Sequence, residues 1–349
     1  MTTGHNQVPA RRAKKTVTPR SETRHSPSDP AAGSPLVDIE QLFPELREHA
    51  ATATRLHPHP GQPGPDDSSI GGPLRWPADE FWPYCTGREH YVDRLLTPET
   101  VRRMRRIYAA ATARAAATGQ PYRLTDAENA DVPEFDYTEP VSLAKTPIAL
   151  VPVAQLYRHD VADLTGPPDA DLLQVLWCPL DHPDNGYSPW VELRWRRTAD
   201  LGEQLATAPE PVVVNENYLP TPCLVRPEQV REYQYVGLLP ENLKKQLYAW
   251  EKQSGHSYQA DLSLAPGWKI GGFANWSLSD WHPVDCTECG AAMTLLLTAS
   301  SGEQNGSARW RTADDPDGNP VDVLIGRGYT LHVFACPTSP THPPATVMQ

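Results

Sequence analysis

The segment Ile70-Gly71-Gly72-Pro73-Leu74-Arg75-Trp76 returns two hundred residues later as Ile270-Gly271-Gly272-Phe273-Ala274-Asn275-Trp276, with both glycines and the tryptophan at the same offsets. The parallel continues downstream. Trp82-Pro83 followed by Cys85 matches Trp281, Pro283 and Cys286, and each copy reaches an apolar run ending in Cys-Pro, at Cys178-Pro179 and Cys336-Pro337. A fixed order of features twice over points to an internally duplicated core, with pseudo-repeats at about 68–180 and 268–340 inside one domain spanning 37–340.

Paired glycines let the backbone adopt conformations closed to other residues and allow a neighbouring strand to come close, and a tryptophan four positions on can cover the spot with a large apolar area. Gly71, Gly72, Gly271 and Gly272 therefore read as structural, with Trp76 and Trp276 as their plugs. A phosphate-cradling loop needs a longer glycine pattern leading into a helix, and neither copy has one.

The two copies differ in length. From the second glycine to the Cys-Pro cysteine there are 106 residues in the first and 64 in the second. An insertion at about 90–145, mostly on the surface, accounts for the difference, and its Thr97-Pro98-Glu99 start, apolar Val101, Met104, Ile107 and Tyr108, and Gly119 predict a capped helix. A second helix is expected from Leu239 to Gly255, and a kinked one from Asp38 past Pro44 to near Arg55. Short apolar or alternating runs at Ile148–Tyr157, Leu172–Trp177, Val191–Trp195, Met293–Leu297 and Thr330–Phe334 read as strands. With 38 prolines and 10 tryptophans as well, the expected class is mainly β (α+β): two duplicated β lobes with a few peripheral helices.

Residues 1–36 form a Pro/Ser-rich tail carrying Arg11, Arg12, Lys14, Lys15, Arg20 and Arg24, with too few large apolar residues to fold; residues 341–349 read as a second tail. No apolar stretch follows Arg11-Arg12 as an export signal would need, and none is long enough to cross a bilayer, so the expected compartment is the cytoplasm. The formal charge is −12, and the basic tail leaves the rest more acidic still. An acidic body is a poor partner for nucleic acid and a good one for a basic protein.

Six unevenly spaced cysteines are not a disulfide framework and in a reducing cytosol would be thiols or metal ligands. Cys286-Thr287-Glu288-Cys289-Gly290 offers two thiolates from one tight turn, Cys336 at a strand end is the natural third ligand, and His342 or His282 could complete a tetrahedron. The expectation is one structural zinc on Cys286, Cys289, Cys336 and His342. A zinc deaminase would need an upstream His-x-Glu, and a thioredoxin pair would need to open a helix. The duplication also allows a second metal site using Cys85, Cys178 and His182 that mirrors the one around Cys336, although it lacks a second close cysteine pair. His57 and His59 read as loop histidines. Catalysis has only weak candidates: in Cys178-Pro179-Leu180-Asp181-His182 a thiol, a base and an orienting carboxylate lie side by side, but neighbours in sequence seldom face one another correctly. A hydrolase or other small-molecule enzyme working in a cleft between the repeats is the alternative they would serve.

Taken together, Ile-Gly-Gly-x-x-x-Trp, Cys286-x-x-Cys289-Gly290-x-x-Met293 and Val333-Phe334-Ala335-Cys336-Pro337 resemble the YwqG-like family of bacterial proteins in its actinobacterial form, over about 37–340. The resemblance implies a mainly β fold with a duplicated core. It supplies no reaction and no catalytic residues. Some relatives are associated with toxin and immunity gene clusters, which implies a protein-binding role; the helical insertion departs from the family pattern.

Overall fold

The computed structural model describes residues 37–349 apart from 93, 95, 134–140, 143–145, 304–309 and 311–317; the expected basic tail at 1–36 lies outside the described residues. Its strands, in chain order, are β1 (Ala50–Arg55), β2 (His59–Pro60), β3 (Ser69–Ile70), β4 (Tyr84–Cys85), β5 (Tyr91–Val92), β6 (Val141–Ser142), β7 (Ile148–Ala149) and β8 (Val151–Tyr157). There follow β9 (Leu172–Trp177), β10 (Val191–Arg196), β11 (Cys223–Leu224), β12 (Glu228–Tyr233), β13 (Lys269–Gly271), β14 (Thr294–Ser300), β15 (Thr330–Ala335) and β16 (Ala345–Met348). The α-helices are α1 (Ile39–Leu42), α2 (Pro98–Thr118), α3 (Asp126–Asp131) and α4 (Glu241–Ser254).

Two six-stranded antiparallel sheets carry the fold, in the orders β2-β11-β3-β8-β9-β10 and β12-β1-β13-β14-β15-β16. The duplication is visible in their register. Ile70 of β3 lies opposite Ala154 of β8, and Ile270 of β13 opposite Leu297 of β14. The β8/β9 ladder shifts between Pro152 and Ala154, and the β14/β15 ladder shifts at the matching place, between Leu295 and Leu297. Counted from those bulges, Trp177 and Ala335 are equivalent, so the cysteines that follow them, Cys178 and Cys336, occupy one position in two sheets. Gly71 and Gly271 both have positive φ, +65° and +73°, which is why glycine follows the strand isoleucine in each lobe.

Alternation along the strands sorts side chains between two faces. Val175, Trp177, Ile270, Leu331 and Val333 point into a core shared by the two sheets, where the Trp177 and Trp268 rings lie 6.4 Å apart. Each buried tryptophan removes about 150–250 Å² from water, a gross gain of about 4–6 kcal/mol before entropy is charged against it. The opposite faces carry smaller clusters, with Trp76, Trp82, Leu176 and Cys178 on one sheet and Trp276, Ala274 and Phe334 on the other. Trp76 packs on Trp82 at 4.9 Å, while the ring against Trp276 is His282 at 5.0 Å. Trp281, expected to mirror Trp82, is 46% exposed.

A two-stranded hairpin overhangs each outer face. In the first lobe Tyr84 pairs with Ala149, and Leu150 N–H donates to Pro83 O at 3.1 Å; in the second, Asp285 pairs with Ala292, and Met293 N–H donates to Val284 O at 2.8 Å. The second hairpin closes through residues 287–290, whereas the first is opened by everything from 86 to 147. That segment contains the expected helix: α2 starts at the Thr97 cap and stops at Gly119. It is less superficial than expected. Val101, Met104 and Ala111 of α2 are buried, and Arg105 donates to the carbonyls of Leu219, Glu216 and Asp322.

Two other expectations are corrected. The helix projected from Asp38 to Arg55 stops at Leu42, and after a short 3₁₀ turn the chain becomes β1, whose Ala50–Arg55 pair with β12 and β13. Pro44 ends the helix, and Thr52 and Thr54 suit a strand in which both hydroxyls reach Asp163. The supposed tail 341–349 supplies β16, the edge strand beside β15.

Candidate metal centres

The second-lobe hairpin places Cys286 at the start of its tip, where Gly290 N–H donates to Cys286 O at 2.8 Å; Gly290 takes φ +70°. Cys289 projects from that tip, Cys336 leaves the end of β15, and His342 comes from the turn before β16. Their four ligand atoms all lie within 4.8 Å of one another. Cys286 Sγ and Cys336 Sγ are each 3.4 Å from His342 Nδ1, and Cys289 Sγ is 3.6 Å from Cys336 Sγ. Tetrahedral ligands at zinc bond lengths would stand about 3.8 Å apart for two sulfurs and about 3.6 Å for sulfur and nitrogen. These three spacings are close to those of a zinc coordination shell. His282, the alternative fourth ligand, lies exposed against Trp276.

The Cys336 sulfur is prepared for negative charge. Burial pushes the Cys336 thiol up, but the N–H groups of Ser339 and Thr338, with His342 and Cys289, outweigh it and bring it down to about 6. Cys286 stands above the ordinary thiol range: burial first, with the neighbouring Cys336 and Cys289 sulfurs, outweighs the amides of Glu288 and Cys289, which pull the other way. Amides aimed at sulfur from a tight turn are what a thiolate ligand needs to keep its charge away from water.

The first lobe holds a second cluster. Cys85 of β4, Cys178 beyond β9, His182 and His90 bring four ligand atoms within 4.8 Å of one another, all four residues buried. The two imidazoles stack edge to face at 4.8 Å, and Cys85 Sγ is 3.9 Å from His182 Nε2. The hydrogen bond from Cys178, then His182 and His90 acting against burial, bring the Cys85 thiol down to about 3; burial and then Cys85 push Cys178 well up. Both clusters could hold a metal ion.

The duplication in the sequence joins Cys85, Cys178 and His182 but does not reveal His90. Nothing local marks it. A backbone bridge brings it in: Tyr91 N–H donates to Asp181 O at 2.9 Å and Asp181 N–H to Tyr91 O at 3.2 Å, which sets His90 beside His182. The clue available in sequence was the duplication itself, since a site mirroring the second lobe needs a donor a few residues beyond Cys85, as Cys289 lies beyond Cys286.

The nucleophile arrangement suggested by Cys178, Asp181 and His182 does not form. Cys178 is 0% exposed and faces the cluster, and the Asp181 carboxylate accepts from Tyr218 Oη at 2.8 Å and Asn215 Nδ2 at 3.3 Å. No solute can reach such a thiol. His57 bonds to Glu228 at 2.8 Å and joins neither cluster, and Cys223 is a buried thiol pushed up to about 12 that donates to Pro320 O. A groove of about 390 Å³ runs between Trp190 and the adjoining β10, with Glu192 and Arg194, on one side and the segment 340–344 that carries His342 on the other.

No protein-family model matches the chain, and no curated protein matches it. Among the described residues no helix is long and apolar enough to cross a membrane.

Proposed function

We propose that this protein is a cytosolic, non-catalytic binding scaffold whose second lobe is fastened by a structural zinc on Cys286, Cys289, Cys336 and His342. The observation that carries the reading is the closed donor set. Four protein ligands spaced like a tetrahedral shell leave no open position for a reacting water or substrate, which is the mark of a structural rather than a catalytic zinc site. The sealed Cys178 supports the non-catalytic half. The formal charge of −12 favours a basic protein partner, met through long-range attraction, and the resemblance to YwqG-like proteins agrees with an immunity-like binding role.

Metal analysis of the tag-free protein tests the zinc. Replacing both Cys286 and Cys289 by serine must lower the zinc content by one equivalent per chain; an unchanged content sinks the assignment. Partners captured from the protein's own cells test the binding role. They should be basic and released by salt at about 0.5 M, where the Debye length has shrunk to a few ångströms. Capture of acidic or salt-indifferent partners would overturn the charge argument.

A further inference from the structure

The first-lobe cluster stands in an unusual setting. Cys85, Cys178, His90 and His182 are all but inaccessible, at 3%, 0%, 0% and 0% exposure, behind an apolar shell that includes Leu74, Trp76, Trp82, Ile148, Leu150 and Leu180. Sulfur is a weak hydrogen-bonding partner, so the His182 imidazole, sealed against thiols, is poorly compensated for lost water. His182 Nδ1 is buried with no hydrogen-bond partner among the described residues, and His182 Nε2 has only the Cys85 sulfur at 3.9 Å. A disulfide between the two cysteines would leave the His182 imidazole without even that sulfur partner. A divalent ion would take one donor atom from each of the four residues at once.

The duplication supplies an independent argument. Cys178 and Cys336 share one register position, each followed by proline, and an amide two residues on, Leu180 or Thr338, points at the sulfur. Cys85 and Cys286 occupy the same place on matching hairpins. His182 and His342 follow their Cys-Pro turns. Only the donor beyond the hairpin differs, Cys289 at a closed tip against His90 at the root of the insertion.

We infer that the first lobe holds a second tetrahedral metal ion of the zinc class, on Cys85, His90, Cys178 and His182, and that this ion pins the root of the insertion to the sheet. Two sulfurs and two imidazoles in a closed set suit zinc over hard cations, which take oxygen. His90 is the one ligand supplied by the insertion. It works beside the Tyr91–Asp181 bridge and the Arg88–Asp184 ion pair at 2.8 Å, and the ion makes that contact permanent. The site shares no ligand with the second-lobe cluster, so either can fail without the other.

The test is metal stoichiometry in the full chain purified without a tag and loaded with zinc. Wild type should bind two equivalents. His90→Ala should keep the one removed by Cys286→Ser/Cys289→Ser, and that double variant should keep the one lost in His90→Ala. A single wild-type equivalent, abolished in the double variant and untouched in His90→Ala, overturns the inference while sparing the second-lobe site; one equivalent lost only in His90→Ala does the reverse. Should His90→Ala fail to fold, cobalt titration of the wild type decides. Two tetrahedral cobalt ions whose sulfur charge-transfer intensities stand near 3:2 support the second site, and a single spectral step or a Cys85–Cys178 disulfide in peptide mapping rejects it. For the pinning, His90→Ala should speed proteolysis within the insertion several-fold; loss of one zinc with unchanged cleavage refutes that half.

Discussion

Gln174 and His332 stand at the same register position of the two sheets, both buried, each facing a polar partner across the ladder: Gln155 in one lobe and Thr298 in the other, both at 3.0 Å. Each also reaches the residue five places beyond the repeat isoleucine. Gln174 Nε2 donates to Arg75 O at 3.0 Å, and His332 Nε2 bonds to the Asn275 side chain. A buried polar clamp thus holds the Gly-Gly-x-x-x-Trp loop in both lobes, with amide chemistry in one and imidazole chemistry in the other.

The imidazole makes one clamp acid-sensitive. Burial first, and then the charge of Lys269, push His332 down to about 3, so it is neutral in the folded protein. The unfolded chain binds a proton there below about 6.5, and the native state does not, so His332 costs no stability above about 6.5 and an increasing amount as the pH falls towards 3. Between pH 6 and 4, wild type should lose about 1.4 kcal/mol per unit more than His332→Gln in paired denaturant titrations. Parallel profiles would refute the buried neutral histidine.

The two clusters should surrender metal at different rates. Cys289 is exposed and its cluster is near the surface, while every ligand of the first-lobe cluster is buried. A chelator with a colorimetric readout should therefore show a fast phase abolished by Cys289→Ser and a slow one that tracks global unfolding. Removal of both ions should lower Tm by more than 10 °C, since about 10 kcal/mol or more of binding energy is coupled to folding at such a site. Release in one phase would contradict the difference in burial.

Lys269 and Glu232 form an ion pair with side chains 3% and 0% exposed, and Glu232 also accepts from the N–H groups of Ala265 and Phe273. Lys269→Met leaves a buried carboxylate without its cation and should cost about 3–5 kcal/mol in urea denaturation. A loss below about 1 kcal/mol would show that the pair is not desolvated as described.

Gly71→Ala and Gly271→Ala should differ although the glycines are equivalent. Both substitutions bear the strain of positive φ, about 1–2 kcal/mol. At Gly71 the new Cβ would also stand 2.8 Å from Pro220 Cβ, against 3.4 Å from Asp163 Cβ at Gly271. Thermal melts should place Gly71→Ala well below Gly271→Ala; equal Tm values would contradict the closer approach in the first lobe.

Features carried by short patterns were legible in the sequence. The paired Ile-Gly-Gly segments foretold matching strands, Thr97-Pro98 and Gly119 bounded α2, and Cys286-x-x-Cys289-Gly290 gave the tip of a cluster completed by Cys336 and His342. What stayed hidden depends on contacts distant in sequence. The alanine-rich Ala50–Arg55 segment reads as helix until Asp163 and two flanking strands claim it, and His90 has no meaning until a bridge sets it beside His182. β16 escaped because an edge strand with partly buried residues has no strong pattern of its own.

The twin hairpins show how much cargo one strand pairing can carry. One turns back after residues 287–290; its twin releases the chain at 86 and recovers it at 147 with the same ladder contacts beneath. The loop beyond Cys286 is therefore a natural port for grafting a foreign module, and a guest that returns a single thiol or imidazole to the vacated corner would be anchored as it arrives.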